Sequence, residues 1–348
     1  MWNRGLLLAA LAIIITVGGA NAQKPRIGES INLLKRYGHF FENLSIRFML
    51  KNVTDARIYR ESGSTIFKPP PSTINVIRFG GSSVMVSANI QVAFCTKAEQ
   101  LMQEVFNGFV FEGIKEPWRA FQLDWSKSTI ARIFGINEFF VQDDYRYILL
   151  KIIRSSDNQL AFEPSAVELD ADAATGTERV FINDTASTFE FIKRFGTHYI
   201  SSYSTGDALY QVFVYRAPEF EMVKKVIEKK SIYDLDTIEK NWYFSSPVVS
   251  HVGRIQSASG DASFEKWVTE RLKTSSWSIA TTEPHSSLLN IIRNDKLLIR
   301  FYRKFDDRAL LRMELKYLSA AFRNSTLREW FNFYISSLIK YVITYLSK

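Results

Sequence analysis

The chain changes its hydrophobic period across the string Phe195-Gly196-Thr197-His198-Tyr199. On the N-terminal side, Phe189, Ile192 and Phe195 recur at intervals of three, which fits one face of a short helix. Ser187-Thr188-Phe189-Glu190 carries the Ser-x-x-Glu spacing of a capping box at its start. Gly196 falls where such a helix stops, because a residue without Cβ adopts the left-handed conformation of a helix end at no steric cost. Beyond it, from Tyr199 through Tyr203 and then from Leu209 to Tyr215, the pattern turns strand-like. A helix that ends on a glycine and passes at once into a strand is the strongest constraint in the sequence.

This aromatic-Gly-Thr-His-aromatic string, with Gly206 a short way downstream, resembles the signature of the membrane-attack-complex/perforin (MACPF) superfamily. Asp207 stands where the family usually has a second glycine, and Thr188 where it usually has a tyrosine, with Phe189 next door to fill a similar packing role. The motif itself covers residues 185–215. The resemblance implies an α+β domain with a bent central antiparallel four-stranded sheet flanked by two helical clusters. Here those clusters would lie near residues 97–140 and 216–285. In pore-forming members the clusters unfurl into amphipathic hairpins that line a β-barrel.

The N-terminus reads as a secretory signal peptide over residues 1–22. Arg4 is its positive end, Leu6 to Val17 is an apolar run too short to span a bilayer, and Ala20-Asn21-Ala22 is a cleavage site. Residues 23–348 are then long enough for a single MACPF-like domain, with an N-terminal extension over 23–67 and a helical C-terminal region over 306–348. Cys95 stands alone, so no intramolecular disulfide forms and cysteine-rich accessory modules are ruled out. The net charge of +8, one unit of it from Arg4, favours acidic partners outside the cell, such as anionic membrane surfaces or sulfated glycans rather than nucleic acid.

Along the chain, helical candidates lie at Ile31–Tyr37 and Phe40–Leu50, and Lys68-Pro69-Pro70-Pro71-Ser72 reads as an extended linker. Val84, Val86, Ala88, Ile90, Val92 and Phe94 alternate as a long half-buried strand. Residues 97–140 read as mainly helical, Tyr145–Ile153 as a strand, and 164–177 as a loop turning at Ala173-Ala174-Thr175-Gly176. The densely charged stretch 218–241 reads as helix closed by Asn241, 257–263 as a loop, and everything after Asp306 as helix. Near the end, Phe331, Tyr334, Ile335, Leu338, Tyr341, Val342 and Tyr345 form one amphipathic stripe, first of all for the core.

Catalytic patterns are missing. The sequence has no His-Glu-x-x-His, Gly-x-Ser-x-Gly, phosphate loop, Cys-x-x-Cys or EF-hand, and His39, His198, His251 and His285 lack ligand spacing. No cofactor, metal or enzymatic activity is expected. His198 reads as a hydrogen-bonding member of a packed turn rather than a ligand or pH switch. Sequons occur at Asn43, Asn52, Asn183 and Asn324, against roughly two expected by chance at average composition. Export exposes some of them to glycosylation, Asn183 and Asn43 ahead of Asn324, which falls in a helical region, and each used site must face solvent.

Pore formation is disfavoured by the segment after the signature. Arg216 to Lys240 is crowded with charges that do not alternate cleanly, and each Lys or Arg facing lipid at mid-bilayer costs about 2–4 kcal/mol. Within the superfamily the overall architecture is most similar to the insect Torso-like proteins. That resemblance implies a secreted modulator of Torso receptor tyrosine kinase signalling in embryonic terminal patterning, working with the receptor or its Trunk-type ligand. A membrane-binding, pore-forming effector is the competing reading, and self-association is left open by both.

Overall fold

The computed structural model describes residues 28, 30–34, 67–68, 75–78, 89–121, 124–155, 158–161, 168–169, 171–258, 288–289 and 309–346. The leader 1–22, Asn43, Asn52, the helical candidate 40–50 and residues 84–88 lie outside them. In chain order the early strands are β1 (Ser30–Ile31), β2 (Phe67–Lys68), β3 (Asn75–Arg78) and β4 (Asn89–Cys95). Helix α1 (Ala98–Val105), strand β5 (Phe109–Phe111), helices α2 (Trp118–Phe121) and α3 (Lys127–Phe134), and strands β6 (Tyr145–Ser155), β7 (Asn158–Ala161) and β8 (Glu168–Leu169) follow. Next come helices α4 (Ala171–Glu178) and α5 (Thr185–Phe195), strand β9 (His198–Arg216), and helices α6 (Ala217–Asp234) and α7 (Thr237–Tyr243). The chain continues through β10 (His251–Val252), β11 (Gln256–Ala258), β12 (Ala309–Tyr317) and helix α8 (Ser325–Leu346).

The fold is α+β, and β9 is its spine. Its 19 residues are too many for one neighbour to cover, so it changes partners along its length. On one edge β6 pairs antiparallel with residues 206–216, while β7 and β1 take positions nearer the start. On the other edge β12 pairs antiparallel with residues 198–206, and β11 and β10 take over beyond it. Gly206 is the handover, since it is opposite Ser155 of β6 and Ala309 of β12. With β4 on the far side of β6, the order β4-β6-β9-β12 gives the expected four antiparallel strands as the core of a ten-stranded sheet, which β5 extends in parallel beyond β12. Register shifts interrupt the β9–β12 ladder between Leu310 and Arg312 and between Glu314 and Leu315, the type of irregularity at which a strand bends.

Alternation sorts the strand residues into two cores. Tyr147 and Leu149 of β6, with Ala208, Tyr210, Val212 and Val214 of β9, join the larger core with α1, α3, α5 and α8. Ile148, Leu150 and Ile152, with Leu209, Phe213 and Tyr215, face the opposite way. There they meet Phe220, Val223 and Ile227 of α6, whose spacing gives one helical face. Each such side chain contributes about 1.5–3 kcal/mol when fully buried. The two helical groups therefore follow β4 and β9 in the chain and cover opposite faces of the sheet.

Several expectations need correction. Residues 309–317 are the strand β12, not helix, and 171–178 are helix α4, not loop. Phe109–Phe111 is a strand inside the region expected to be helical, and Ile31 belongs to strand β1 rather than to a helix. Gln256–Ala258 is a strand at the start of the expected 257–263 loop. The charged helix is broken, with Ser231 at φ 63° and ψ 149°, and α7 runs through Asn241 to Tyr243. In α8, Phe331, Ile335 and Ile339 are buried in the core, but Tyr341 is exposed. Among the described residues no helix is long and apolar enough to cross a membrane.

Candidate functional site

The signature residues form the joint between α5 and β9, and the sequence dictates how. Asp184, not Ser187, caps α5; its carboxylate accepts from the backbone N–H groups of Ala186 and Ser187 at 3.0 and 3.2 Å. That cap starts the helix three residues earlier than expected and sets which face is buried. Phe191, Ile192 and Phe195 point inward together with Thr188, while Phe189 is 51% exposed and packs in nobody's place. Phe191 sits 4.9 Å from Phe195, 5.1 Å from Phe322 and 5.5 Å from Phe331, ring centre to ring centre, so α5 and α8 share one aromatic cluster. Thr188 takes a hydrogen bond from the Trp330 indole at 3.0 Å, a polar tie where the superfamily signature usually carries a tyrosine.

Gly196 then stops the helix at φ 90°, a conformation that side-chain-bearing residues rarely adopt. Any Cβ here would stand 2.7 Å from the backbone carbonyl of Ile31. This close approach lets Thr197 bind β1. Thr197 N–H donates to the Ile31 carbonyl at 2.9 Å, and the Thr197 hydroxyl accepts from Leu33 N–H at 3.0 Å. The Thr197 carbonyl accepts from Leu318 N–H at 3.0 Å, so one residue ties the start of the described chain to the end of β12.

His198 completes the joint. Its Nε2 lies 3.0 Å from the carbonyl oxygen of Glu112, which only accepts, so Nε2 carries the proton. Nδ1 is then the acceptor for the Thr197 hydroxyl at 2.8 Å. The ring is wholly buried and packs 4.9 Å from the Tyr317 ring. Burial with no compensating negative charge pushes the imidazole pKa down to about 4. The neutral ring is fully satisfied, and Thr197, His198 and Tyr199 are sealed from solvent. As folded, this constellation offers neither a metal ligand nor a proton-transfer group to any molecule outside it.

The signature Phe195, Gly196, Thr197, His198 and Tyr199 is thus brought together, whereas Gly206 sits farther along β9 at the strand handover. Glu112 was not foreseen from the sequence, although its carboxylate also accepts from Tyr317 N–H at 2.7 Å. Its partners are remote in the chain, so only the topology reveals it. Of the sequons, Asn183 and Asn324 are exposed. Asn324 uses its side-chain oxygen to cap α8, accepting from Thr326 N–H at 2.8 Å and leaving its amide nitrogen available for a glycan. Cys95 is a free, buried thiol. Among the described residues no group of three His, Cys, Asp or Glu side chains is placed to hold a metal.

No protein-family model and no curated protein matches the sequence. Solved structures do align with the chain. GNIP1Aa from Chromobacterium piscinae aligns over 91% of this chain and 57% of its own, at 11% identity and a TM-score of 0.44. A protein with a MAC/perforin domain from Bacteroides thetaiotaomicron aligns over 92% of this chain and 63% of its own, at 13% identity and a TM-score of 0.39. Astrotactin-2, a vertebrate-specific, perforin-like membrane protein involved in neuronal development, aligns over 79% of this chain and 91% of its own, at 10% identity and a TM-score of 0.36. The chain spans less than two thirds of the length of the two bacterial structures.

Proposed function

We propose that this chain is an exported, non-enzymatic MACPF-type protein that acts through its surfaces and not by perforating membranes. Its finer role follows the Torso-like resemblance: an extracellular modulator of Torso receptor tyrosine kinase signalling, with the receptor or its Trunk-type ligand as partner. The signature string, its sealed joint and the four-stranded sheet between two helical groups support the superfamily reading.

The observation that carries the non-perforating reading is the periodicity of α6. Read as a helix, the segment keeps Phe220, Val223 and Ile227 inward and Lys225, Glu228 and Lys229 outward, with Met222 the exposed exception. Read as a strand, it does not. One face would carry Phe220, Met222, Lys224, Val226, Glu228 and Lys230, and the other Glu221, Val223, Lys225, Ile227 and Lys229. Either face would put lysines against lipid at about 2–4 kcal/mol each near mid-bilayer. This segment is patterned to remain a helix.

The competing reading, a membrane-perturbing effector, draws on the net charge of +8 and on Ile238 and Trp242, exposed one turn apart on α7. Dye release from anionic liposomes separates the two. The proposal expects no dose-dependent release, together with a change in receptor phosphorylation when the purified chain is added to cells bearing Torso and its ligand. Robust release accompanied by ring-shaped oligomers would overturn it.

A further inference from the structure

On the sheet face that carries α1, a cavity of about 420 Å³ opens beside the handover of β9 from one partner to the other. Its floor is polar where a sheet face under a helix is ordinarily apolar. Gln91, Lys151 and Tyr210 are register partners across three adjacent strands, β4, β6 and β9. Farther up β9, Arg312 stands opposite Ser204 and lines the same space. A volume of this size is within the usual range for small-molecule sites.

Two groups in it are under-used. The Lys151 side chain is only 3% exposed, yet its ammonium, with three hydrogens to give, makes one hydrogen bond among the described residues, to the Glu104 carbonyl at the end of α1 at 2.7 Å. The nearest carboxylate, that of Glu104, is 4.0 Å away and itself 44% exposed, so it is shared with water. Ser204 belongs to the cavity wall, and its hydroxyl, shielded from solvent, has no hydrogen-bond partner among the described residues. Leaving such a hydroxyl unpaired costs about 1–3 kcal/mol. The acidic residue of the lining, Glu314, is already committed. Its carboxylate accepts from the Ser201 and Ser202 hydroxyls at 2.7 and 3.2 Å and stands 3.8 Å from the Lys316 ammonium. Among the described residues the cavity offers Lys151 and Ser204 no uncommitted acceptor with negative charge.

We propose that this cavity binds a phosphoryl group, seated between the Lys151 ammonium, the Ser204 hydroxyl and the Arg312 guanidinium. An ammonium, a hydroxyl and a planar guanidinium approaching from different strands match the several oxygens of a tetrahedral anion. The group belongs either to a soluble phosphorylated molecule or to a lipid headgroup, and the chemistry of recognition is the same for both.

The test is calorimetric titration of the full chain with inorganic phosphate. Saturable one-to-one binding is expected, weakened at least about tenfold by Ser204→Ala and by Arg312→Gln, the ratio that a lost charge-assisted hydrogen bond gives. Arg312 is exposed and the Ser204 hydroxyl is unpaired, so both variants should fold as the parent does. Without phosphate, Ser204→Ala should be at least as stable as the parent. Vesicles of phosphatidylcholine with and without phosphatidic acid assign the source. Competition with phosphate by the phosphatidic acid vesicles alone indicates a headgroup, and phosphate binding that neither vesicle displaces indicates a soluble ligand. Absence of saturable phosphate binding to the folded chain, or binding that both substitutions leave unchanged, would overturn the assignment.

Discussion

His198 makes the stability of the fold depend on pH in a way that can be calculated. In the unfolded chain its imidazole titrates near 6.5, whereas burial in the folded joint holds it down to about 4. Above pH 6.5 both states are neutral and the native state keeps its full stability. As pH falls below 6.5 the unfolded chain takes up a proton that the folded joint refuses, so stability is lost until the folded group titrates near 4. The full span is about 3 kcal/mol, of which about 2 kcal/mol falls between pH 7.5 and pH 5. Other groups titrate in the same range, so the measurement is a difference of differences. Urea unfolding at the two pH values, for the parent and for His198→Gln, cancels every contribution the two proteins share. The parent should lose about 2 kcal/mol more than the variant over that interval. Equal losses in both would mean that the ring is protonated or hydrated in the folded state, and the sealed-joint geometry would be wrong.

Gly196→Ala adds a Cβ that meets the Ile31 backbone at 2.7 Å with φ at 90°, so thermal unfolding should show a loss of at least about 2 kcal/mol; a loss well under 1 kcal/mol would contradict the close approach. Phe191→Ala should cost about 3–5 kcal/mol and Phe189→Ala at least about 1 kcal/mol less in the same assay, since one ring fills the core and the other is half exposed. Burial pushes the Cys95 thiol up to about 12, so thiol reagents should label it only in denaturant, and rapid labelling of the native chain would place it at the surface.

The sequence makes the α5–Gly196–β9 joint readable because each of its signals is local: an apolar helical period, a terminal glycine and an alternating strand after it. The same holds for β6, where seven of the eleven residues are Tyr, Ile or Leu. Strand β12 hides for a physical reason. Its inward residues are Leu310, Met313, Leu315 and Tyr317, and the register shift before Arg312 turns the first interval from two into three. Its Ala, Leu, Met, Glu and Lys are also good helix formers, so period and propensity both point to a helix. Helix α4 misleads in the opposite direction. Gly176 looks like a turn residue, but it lies in the helix, and a Cβ there would come within 2.4 Å of the Phe195 ring, so the glycine serves close packing rather than a turn. The phase of α5 depends on Asp184 rather than Ser187 as the cap, a choice between two good N-cap residues that propensity alone does not settle. Glu112, Lys151 and Ser204 carry no local signal whatever. Their neighbours come from other strands, so only the register of the sheet brings them into view.

A protein that works through its surfaces keeps α6 a helix packed on the sheet when it meets a lipid surface. Hydrogen–deuterium exchange over residues 217–230, with and without anionic liposomes, measures this directly. Amides around Phe220, Val223 and Ile227 should stay protected at the same level in both conditions, because the apolar face that holds them is buried only while the segment is helical. Loss of that protection on adding liposomes, followed by renewed protection in a membrane-bound oligomer, would show the segment converting and would contradict a protein that works through its surfaces.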